Sequence, residues 1–333
     1  MGRCGGGCGG CRRAACAANV VARGAGMKVL VTGASGFVGA RLVAELLRRG
    51  HQVVAPMRNP RPWTGVETVP IGDLTTETDW SAALAGCDAV VHSAARAHVL
   101  DDPAADPLVV FRRVNRDGTL RLAEQAKEAG IAHFLFISTI KVNGETTPPA
   151  RPFRAEDRPD PQDAYGLAKA EAEVGLRALA GGMILTVVRP PLVHGPKVKG
   201  NLAVLIKAID KGLPLPLRLV NNRRSMVGVD NLADAVSFLL EKRQPGTFLI
   251  RDDGDLSTPD LIRTLAGAMH KSSRLLPVPP ALLTLGARLL GRRSMAERVL
   301  GSLVVDDSPL RALGWVPPLS LQAGLTRMVQ DDR

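Results

Sequence analysis

The 333-residue sequence predicts an α/β fold: a Rossmann-type doubly wound parallel sheet followed by a smaller C-terminal domain. Three observations carry that prediction. Apolar, β-branched runs alternate with amphipathic stretches through the first half, the pattern of parallel strands with helices on both faces. A glycine turn, Gly33-Ala-Ser-Gly36-Phe-Val-Gly39, follows the first run. Beyond Arg189 the prolines Pro190, Pro191, Pro196, Pro214 and Pro216 break the alternation and mark entry to a second unit.

The elements follow in order. Residues 28–32 are a short apolar strand that stops at Gly33. A helix over 37–49 places Val38, Leu42, Val43, Leu46 and Leu47 at helical spacing. Further strands are expected at 52–57, 68–71, 89–93, 134–138 and 185–189, with helices at 81–85, 107–129 and 164–180. The last contains Leu167-Ala-Lys-Ala-Glu-Ala-Glu, all strong helix formers. Residues 224–229 and 247–250 are expected to return to the sheet as added strands. Helices are expected at 231–241, 258–270 and in the tail. The apolar segment 279–291 contains Arg288 and is too short to span a bilayer; a packed helix is expected, an interfacial one being the alternative.

Residues 1–26 read differently: Gly, Ala, Arg and Cys in low-complexity order, with Cys4, Cys8, Cys11 and Cys16. A disordered extension is expected, with Met27 as a candidate true start. No histidine or second cysteine pair completes a metal site, and none is expected. Cys87 is isolated, so no disulfide framework is expected and a cytoplasmic, reducing setting fits. The net charge is +11, but no Lys/Arg cluster is interleaved with aromatics; nucleic acid is not an expected partner, nor is membrane insertion. The excess suits small anions such as nucleotides.

In doubly wound sheets ligands bind beyond the carboxyl ends of the strands. The glycine turn there allows a pyrophosphate to approach the backbone and the helix N-terminus behind it. Gly33, Ser35, Gly36, Phe37, Val38 and Gly39 are the candidate contacts. After the second strand stands Arg58 where an acid would hold a ribose hydroxyl of NAD; its guanidinium suits the 2′-phosphate of NADP, so NADP(H) is expected over NAD(H). Asp73 follows the third strand as a candidate partner of an adenine amino group. His92, at the end of the fourth, reads as a packed histidine, and the small Ala94 and Ala95 leave room for a cofactor backbone. Ser138 and Thr139 end the fifth strand facing the same cleft. Tyr165, the only tyrosine, precedes Lys169 by one helical turn on one face. The ammonium is expected to lower the phenol's pKa and make Tyr165 a general acid or base.

Thr32-Gly33-Ala-Ser-Gly36-Phe-Val-Gly39, Asp73-Leu74, His92-Ser-Ala-Ala95, Ser138-Thr139 and Tyr165-x-x-x-Lys169 together resemble the extended short-chain dehydrogenase/reductase family. The resemblance runs from Met27 to near the C-terminus. Phe136–Glu145, Arg189–Pro196 and Gly301–Asp306 look like its UDP-glucose 4-epimerase-like branch, and within it the 4-keto-sugar reductases of the UDP-N-acetylquinovosamine type. The resemblance implies a dinucleotide-binding domain over 27–189, joined by 224–250, and a nucleotide-sugar-binding domain from 190–223 and 251–333. It implies Thr139, Tyr165 and Lys169 as catalytic residues, with Leu74, Asn115, Tyr165, Lys169 and Pro190 added to the cofactor set, Lys169 on the nicotinamide ribose. Asn201, Leu202 and Arg224 would contact the substrate diphosphate, with Ser138 and Thr139 near the sugar. His194 stands where Tyr is commoner. A homodimer is a family expectation.

The implied activity is NAD(P)H-dependent reduction of a UDP-4-keto-6-deoxy-hexose in surface polysaccharide synthesis. The rival is a 4-epimerase with tightly bound NAD, against which Arg58 argues mildly. A non-catalytic dinucleotide sensor or scaffold is the alternative of another class.

Overall fold

The computed structural model describes residues 26–97, 106–148, 150–289, 291 and 293–330, the side chains of 293–296 excepted. Residues 1–25, with the four cysteines of the low-complexity segment, lie outside the described residues.

The first half alternates strands and helices: β1 (Lys28–Thr32), α1 (Phe37–Arg48), β2 (Gln52–Met57), β3 (Val66–Pro70), α2 (Ser81–Leu84) and β4 (Ala89–His92). Then come α3 (Pro107–Arg112), a π turn (Arg113–Asp117), α4 (Gly118–Glu128), β5 (His133–Ile137), a 3₁₀ turn (Ile140–Val142), α5 (Ala164–Leu179) and β6 (Ile184–Arg189). The remainder comprises β7 (Leu192–His194), α6 (Asn201–Asp210), β8 (Arg224–Gly228), α7 (Val229–Glu241), β9 (Gly246–Leu249) and β10 (Asp255–Leu256). It closes with α8 (Thr258–Ala268), α9 (Pro280–Leu289), α10 (Arg293–Leu300), α11 (Ser308–Ala312) and α12 (Leu321–Gln330).

The main sheet is parallel, in the order β3-β2-β1-β4-β5-β6-β9. Alternate side chains feed two layers, as a period of two requires. Val29, Val31, Ala89, Val91, Leu135 and Ile137 face one side with Leu42 and Leu46 of α1 and Val236 and Leu240 of α7. Leu30, Val90, Phe134 and Phe136 face the other with Leu122 of α4 and Leu176 of α5. Strands buried on both faces read as continuous apolar runs, which is why they were visible in the sequence. Each buried Val, Leu, Ile or Phe among them contributes about 1.5–3 kcal/mol by burial.

Three expectations are corrected. Residues 224–228 do not join the main sheet; β8 is the centre of a second sheet, β10-β8-β7. Only β9 returns, beside β6. The expected helix over 107–129 is interrupted by the π turn, which brings Asn115 inward. The helix within 279–291 is not packed into a core: α9 has no buried residue. Near the second sheet, α6, α8 and α12 enclose a third apolar cluster with Leu202, Ile262, Leu265, Leu325 and Met328.

Candidate active site

The strand order reverses between β1 and β4, and the glycine turn lies at that point. Gly33 has φ +67°, and a Cβ there would lie 2.9 Å from Ala94 Cα and N. A Cβ on Gly39 would meet the Gly33 carbonyl at 2.0 Å. The turn therefore closes only with glycine at both places. Gly36 caps α1 without any side-chain hydrogen bond. The first-turn N–H groups at Phe37, Val38 and Gly39 are thus left for an anion, which the helix dipole favours. Ser35 and Gly36 are exposed, and Ala94 and Ala95 present small, accessible side chains across the turn. An uncapped helix start facing two alanines fits the diphosphate of a dinucleotide, and Gly33, Ser35–Gly39, Ala94 and Ala95 would hold it.

Arg58 and Asp73 stand at the ends of β2 and β3. They pair at 3.4 Å, both largely exposed. An exposed pair of this length is weak and leaves Arg58 accessible from solvent. Leu74 packs near Gly118, where a Cβ would come within 3.2 Å of it. Asn115 is fully buried and spans the Arg96 peptide, accepting from Arg96 N at 2.8 Å and donating to its carbonyl at 3.0 Å. Its side chain fixes the chain beyond Ala95 rather than reaching outward. Pro190 is buried, and its carbonyl accepts from Ile140 N at 3.0 Å.

Two contacts of α5 hold the helix carrying Tyr165 and Lys169 against the strand end carrying Thr139. Lys169 Nζ donates to the Ile137 carbonyl at 2.9 Å, two residues before Thr139. Gly166 abuts the Lys141 backbone, two residues after it; a Cβ there would lie 3.0 Å from Lys141 O. Thr139 Oγ1 accepts from Lys141 N at 3.3 Å and starts the 3₁₀ turn. Tyr165 sits edge-on to Phe111, ring centres 6.1 Å apart. The start of α5 is fixed by Asp163, which accepts from Gly166 N at 2.7 Å and pairs with Lys141.

The electrostatics differ from the expectation. Tyr165 keeps part of its surface open, but surrounding protein pushes the phenol up to about 12, with Asp163 adding to the rise. Lys169 does not lower it here: its ammonium is turned to Ile137 O and over the Phe136 ring, 4.3 Å from the centroid. Burial pulls Lys169 itself down to about 7, with Glu173 pulling the other way. His92 bridges Thr32 Oγ1 at 2.7 Å and Thr119 Oγ1 at 2.9 Å and stacks on Phe136. Burial, aided by Lys169, pushes it down to about 3, so it is a neutral packing residue.

Ser138 requires a correction. It is 3% exposed and donates to Glu173 Oε1 at 2.6 Å, so it faces α5 and not a substrate. Glu173 and its partners were not anticipated. Arg189 grips Glu173 with Nε at 2.9 Å and Nη2 at 2.6 Å, and also donates to Asn143 Oδ1 at 2.9 Å. Burial disfavours the carboxylate, but Arg189, Ser138 and Arg177 outweigh it and hold Glu173 below the usual range. The signal was present: Glu173 follows Lys169 by one further helical turn.

On the second sheet, Asn201 is exposed at the start of α6, whereas Leu202 is buried in the third apolar cluster. Any ligand contact from Leu202 falls to its backbone. Arg224 donates to the carbonyls of Arg298 and Gly301 at 2.6 and 3.1 Å, its guanidinium held below the ordinary arginine value by burial. Arg298 pairs with Glu145 at 3.2 Å and lies 3.7 Å from Asp163, joining α10 to the loop after the 3₁₀ turn and to the start of α5. His194 is fully buried against Asp252 at 2.7 Å and is a structural partner. Among the described residues no cluster of ligands suits a metal.

A parallel sheet with a glycine turn at its crossover, and a Tyr-x-x-x-Lys helix packed against the end of β5, is the arrangement of a dinucleotide-dependent enzyme. The chain matches the model of the NAD dependent epimerase/dehydratase family over residues 29–250, and it belongs to that family. It is 41% identical over 309 residues to a UDP-glucose 4-epimerase of Vibrio cholerae, covering 91% of this chain and 94% of the relative. It is 27% identical over 321 residues to the N-acetyl-alpha-D-glucosaminyl-diphospho-ditrans,octacis-undecaprenol 4-epimerase of Escherichia coli O157:H7, covering 91% and 94%. The structure of a Thermus thermophilus UDP-glucose 4-epimerase complexed with NAD superposes with a TM-score of 0.74 at 26% identity, covering 92% of this chain and 99% of that one.

Proposed function

We propose that this protein is a nucleotide-sugar 4-epimerase that keeps NAD bound, acting on UDP-glucose or its N-acetylated counterpart. The observation that carries the reading is 41% identity to a UDP-glucose 4-epimerase across nearly the whole of both chains. It moves the balance away from the keto-sugar reductase that the motifs alone favoured. The Thermus relative is complexed with NAD, which favours that cofactor.

When bound, the nicotinamide supplies the acceptor and donor of the C4 hydride. The chain's residues handle the proton and the geometry. Tyr165 takes the C4 hydroxyl proton on the outward path and returns it after the sugar has turned over. A phenol held near 12 in the free protein is a poor base at neutral pH, so it needs a cation close to Oη. Lys169 is one helical turn away and can fill that role once turned from Ile137 O. Thr139 Oγ1 holds the C4 oxygen by a hydrogen bond that strengthens as charge develops there. Asn201 and Arg224 are proposed to meet the diphosphate, Arg224 after exchanging its carbonyl partners.

The test uses purified protein with UDP-glucose or UDP-N-acetylglucosamine and no added nicotinamide. Appearance of the C4 epimer, with NAD released on denaturation, supports the proposal. Turnover only of a 4-keto sugar with added NADH or NADPH would establish the reductase instead.

A further inference from the structure

The segment 261–296 is unusual in two ways that its place in a sugar-nucleotide enzyme does not explain. It contains Arg263, Lys271, Arg274, Arg288, Arg292 and Arg293 and not one Asp or Glu. Its centre, α9, buries none of its residues. Leu282 is 58% exposed, Leu285 54% and Leu289 81%. These three stand at i, i+3 and i+7 and so share one helix face. Leu276, 46% exposed, lies just before the helix, and Arg288 is exposed one turn after Leu285. Arg263 and Lys271 have carboxylate neighbours in Asp260 and Asp210. Among the described residues, Arg274 and Arg288 enter no such pair.

From this geometry we infer that α9 docks on an anionic lipid surface, its leucines entering the headgroup boundary and Arg274 and Arg288 meeting lipid phosphates. An apolar face flanked by cations, on a helix that itself carries no acid, is the pattern of a helix lying in the plane of a membrane interface. A second copy of the chain would present the same cations, and like charges would oppose pairing through this face. The helix is far shorter than a bilayer is thick, so it lies on the surface and does not span it. Among the described residues no helix is long and apolar enough to cross. α9 packs on α10, and Arg298 of α10 reaches Glu145 and Asp163 beside Tyr165. Docking through α9 therefore sets the candidate sugar site close to the lipid surface.

The inference does not depend on which sugar is turned over, and its test does not read activity. The full chain is mixed with vesicles of phosphatidylcholine alone or with a quarter phosphatidylglycerol, and sedimented at low and high salt. Binding to the anionic vesicles, at least about tenfold weaker to the neutral ones and reduced by salt, is expected. Leu282→Glu/Leu285→Glu/Leu289→Glu should lose about tenfold or more in binding while retaining its circular dichroism, since all three side chains face outward. Arg274→Glu/Arg288→Glu should weaken binding to anionic vesicles only. No sedimentation with anionic vesicles overturns the inference. So does undiminished binding of the triple leucine variant, or a dimer in solution that this variant dissolves without any vesicle binding.

Discussion

The carboxylate of Glu173 accepts a hydrogen bond from Ser138 Oγ at 2.6 Å, so the helix carrying Tyr165 and Lys169 holds the strand end carrying Thr139. Lys169 makes the neighbouring contact, to Ile137 O at 2.9 Å. Glu173 is in turn fixed by Arg189, at 2.9 and 2.6 Å. Glu173→Gln leaves the Arg189 charge without its buried counter-ion, a loss of about 3–5 kcal/mol by the usual cost of breaking such a pair. Urea unfolding checks that figure. Glu173 also raises Lys169, which burial holds at about 7. In the variant Lys169 should lose its proton at lower pH, moving the alkaline limb of kcat/KM down by about one pH unit. A limb that stays in place would assign Glu173 to stability alone.

Tyr165→Phe should lower kcat by roughly 10²–10⁴-fold, the range for removing a general acid–base. Thr139→Ala should lower it by about 10²-fold or more through loss of the hydrogen bond to the C4 oxygen. Neither side chain is in the glycine turn, so both variants should retain dinucleotide, measured by absorbance of the released cofactor. Full turnover in Tyr165→Phe would remove that residue from the mechanism.

Gly33→Ala places a methyl group 2.9 Å from Ala94 Cα and N at a residue with φ +67°. The turn must open, and the N–H groups at the start of α1 lose their alignment. The purified variant should carry far less dinucleotide than the parent and unfold at a lower temperature. Equal cofactor content in the two proteins would move the diphosphate away from this turn.

His92 is buried and neutral, held near 3 by burial first and then by Lys169. Its folded value lies below the ordinary 6.5, so the unfolded chain binds the extra proton first. Stability is full above about 6.5 and falls as pH drops from there toward 3. His92→Asn cannot take up that proton. At pH 7.5 the variant should be less stable, because the contacts to Thr32 and Thr119 are lost. Between pH 7.5 and 5 the gap to the parent should narrow by about 2 kcal/mol. A gap constant with pH would show that His92 ionises alike in both states.

The sheet was legible because its strands are buried on both faces and stop at turn residues; Lys28–Thr32 and Gln52–Met57 fall where the sequence placed them. What a short apolar run does not encode is which sheet it joins, and Arg224–Gly228 was misassigned for that reason. The π turn was hidden because residues 107–128 keep a helical pattern throughout; the buried contact of Asn115 with the Arg96 peptide goes with it. Ser138 could have been oriented from strand periodicity. It shares the parity of Phe134 and Phe136, whose side chains face α5, and Glu173 stands one turn past Lys169 to receive it. Tyr165 and Lys169 were found by spacing, but their proton affinities depend on burial, which spacing does not give.

The most direct measurement follows the hydride. UDP-glucose carrying deuterium at C4 is incubated with the purified protein and no added nicotinamide, and the product is read by NMR. The account predicts the C4 epimer with deuterium retained at C4. Absence of the epimer both here and with the same label in UDP-N-acetylglucosamine, or an epimer whose C4 hydrogen comes from solvent, would contradict it.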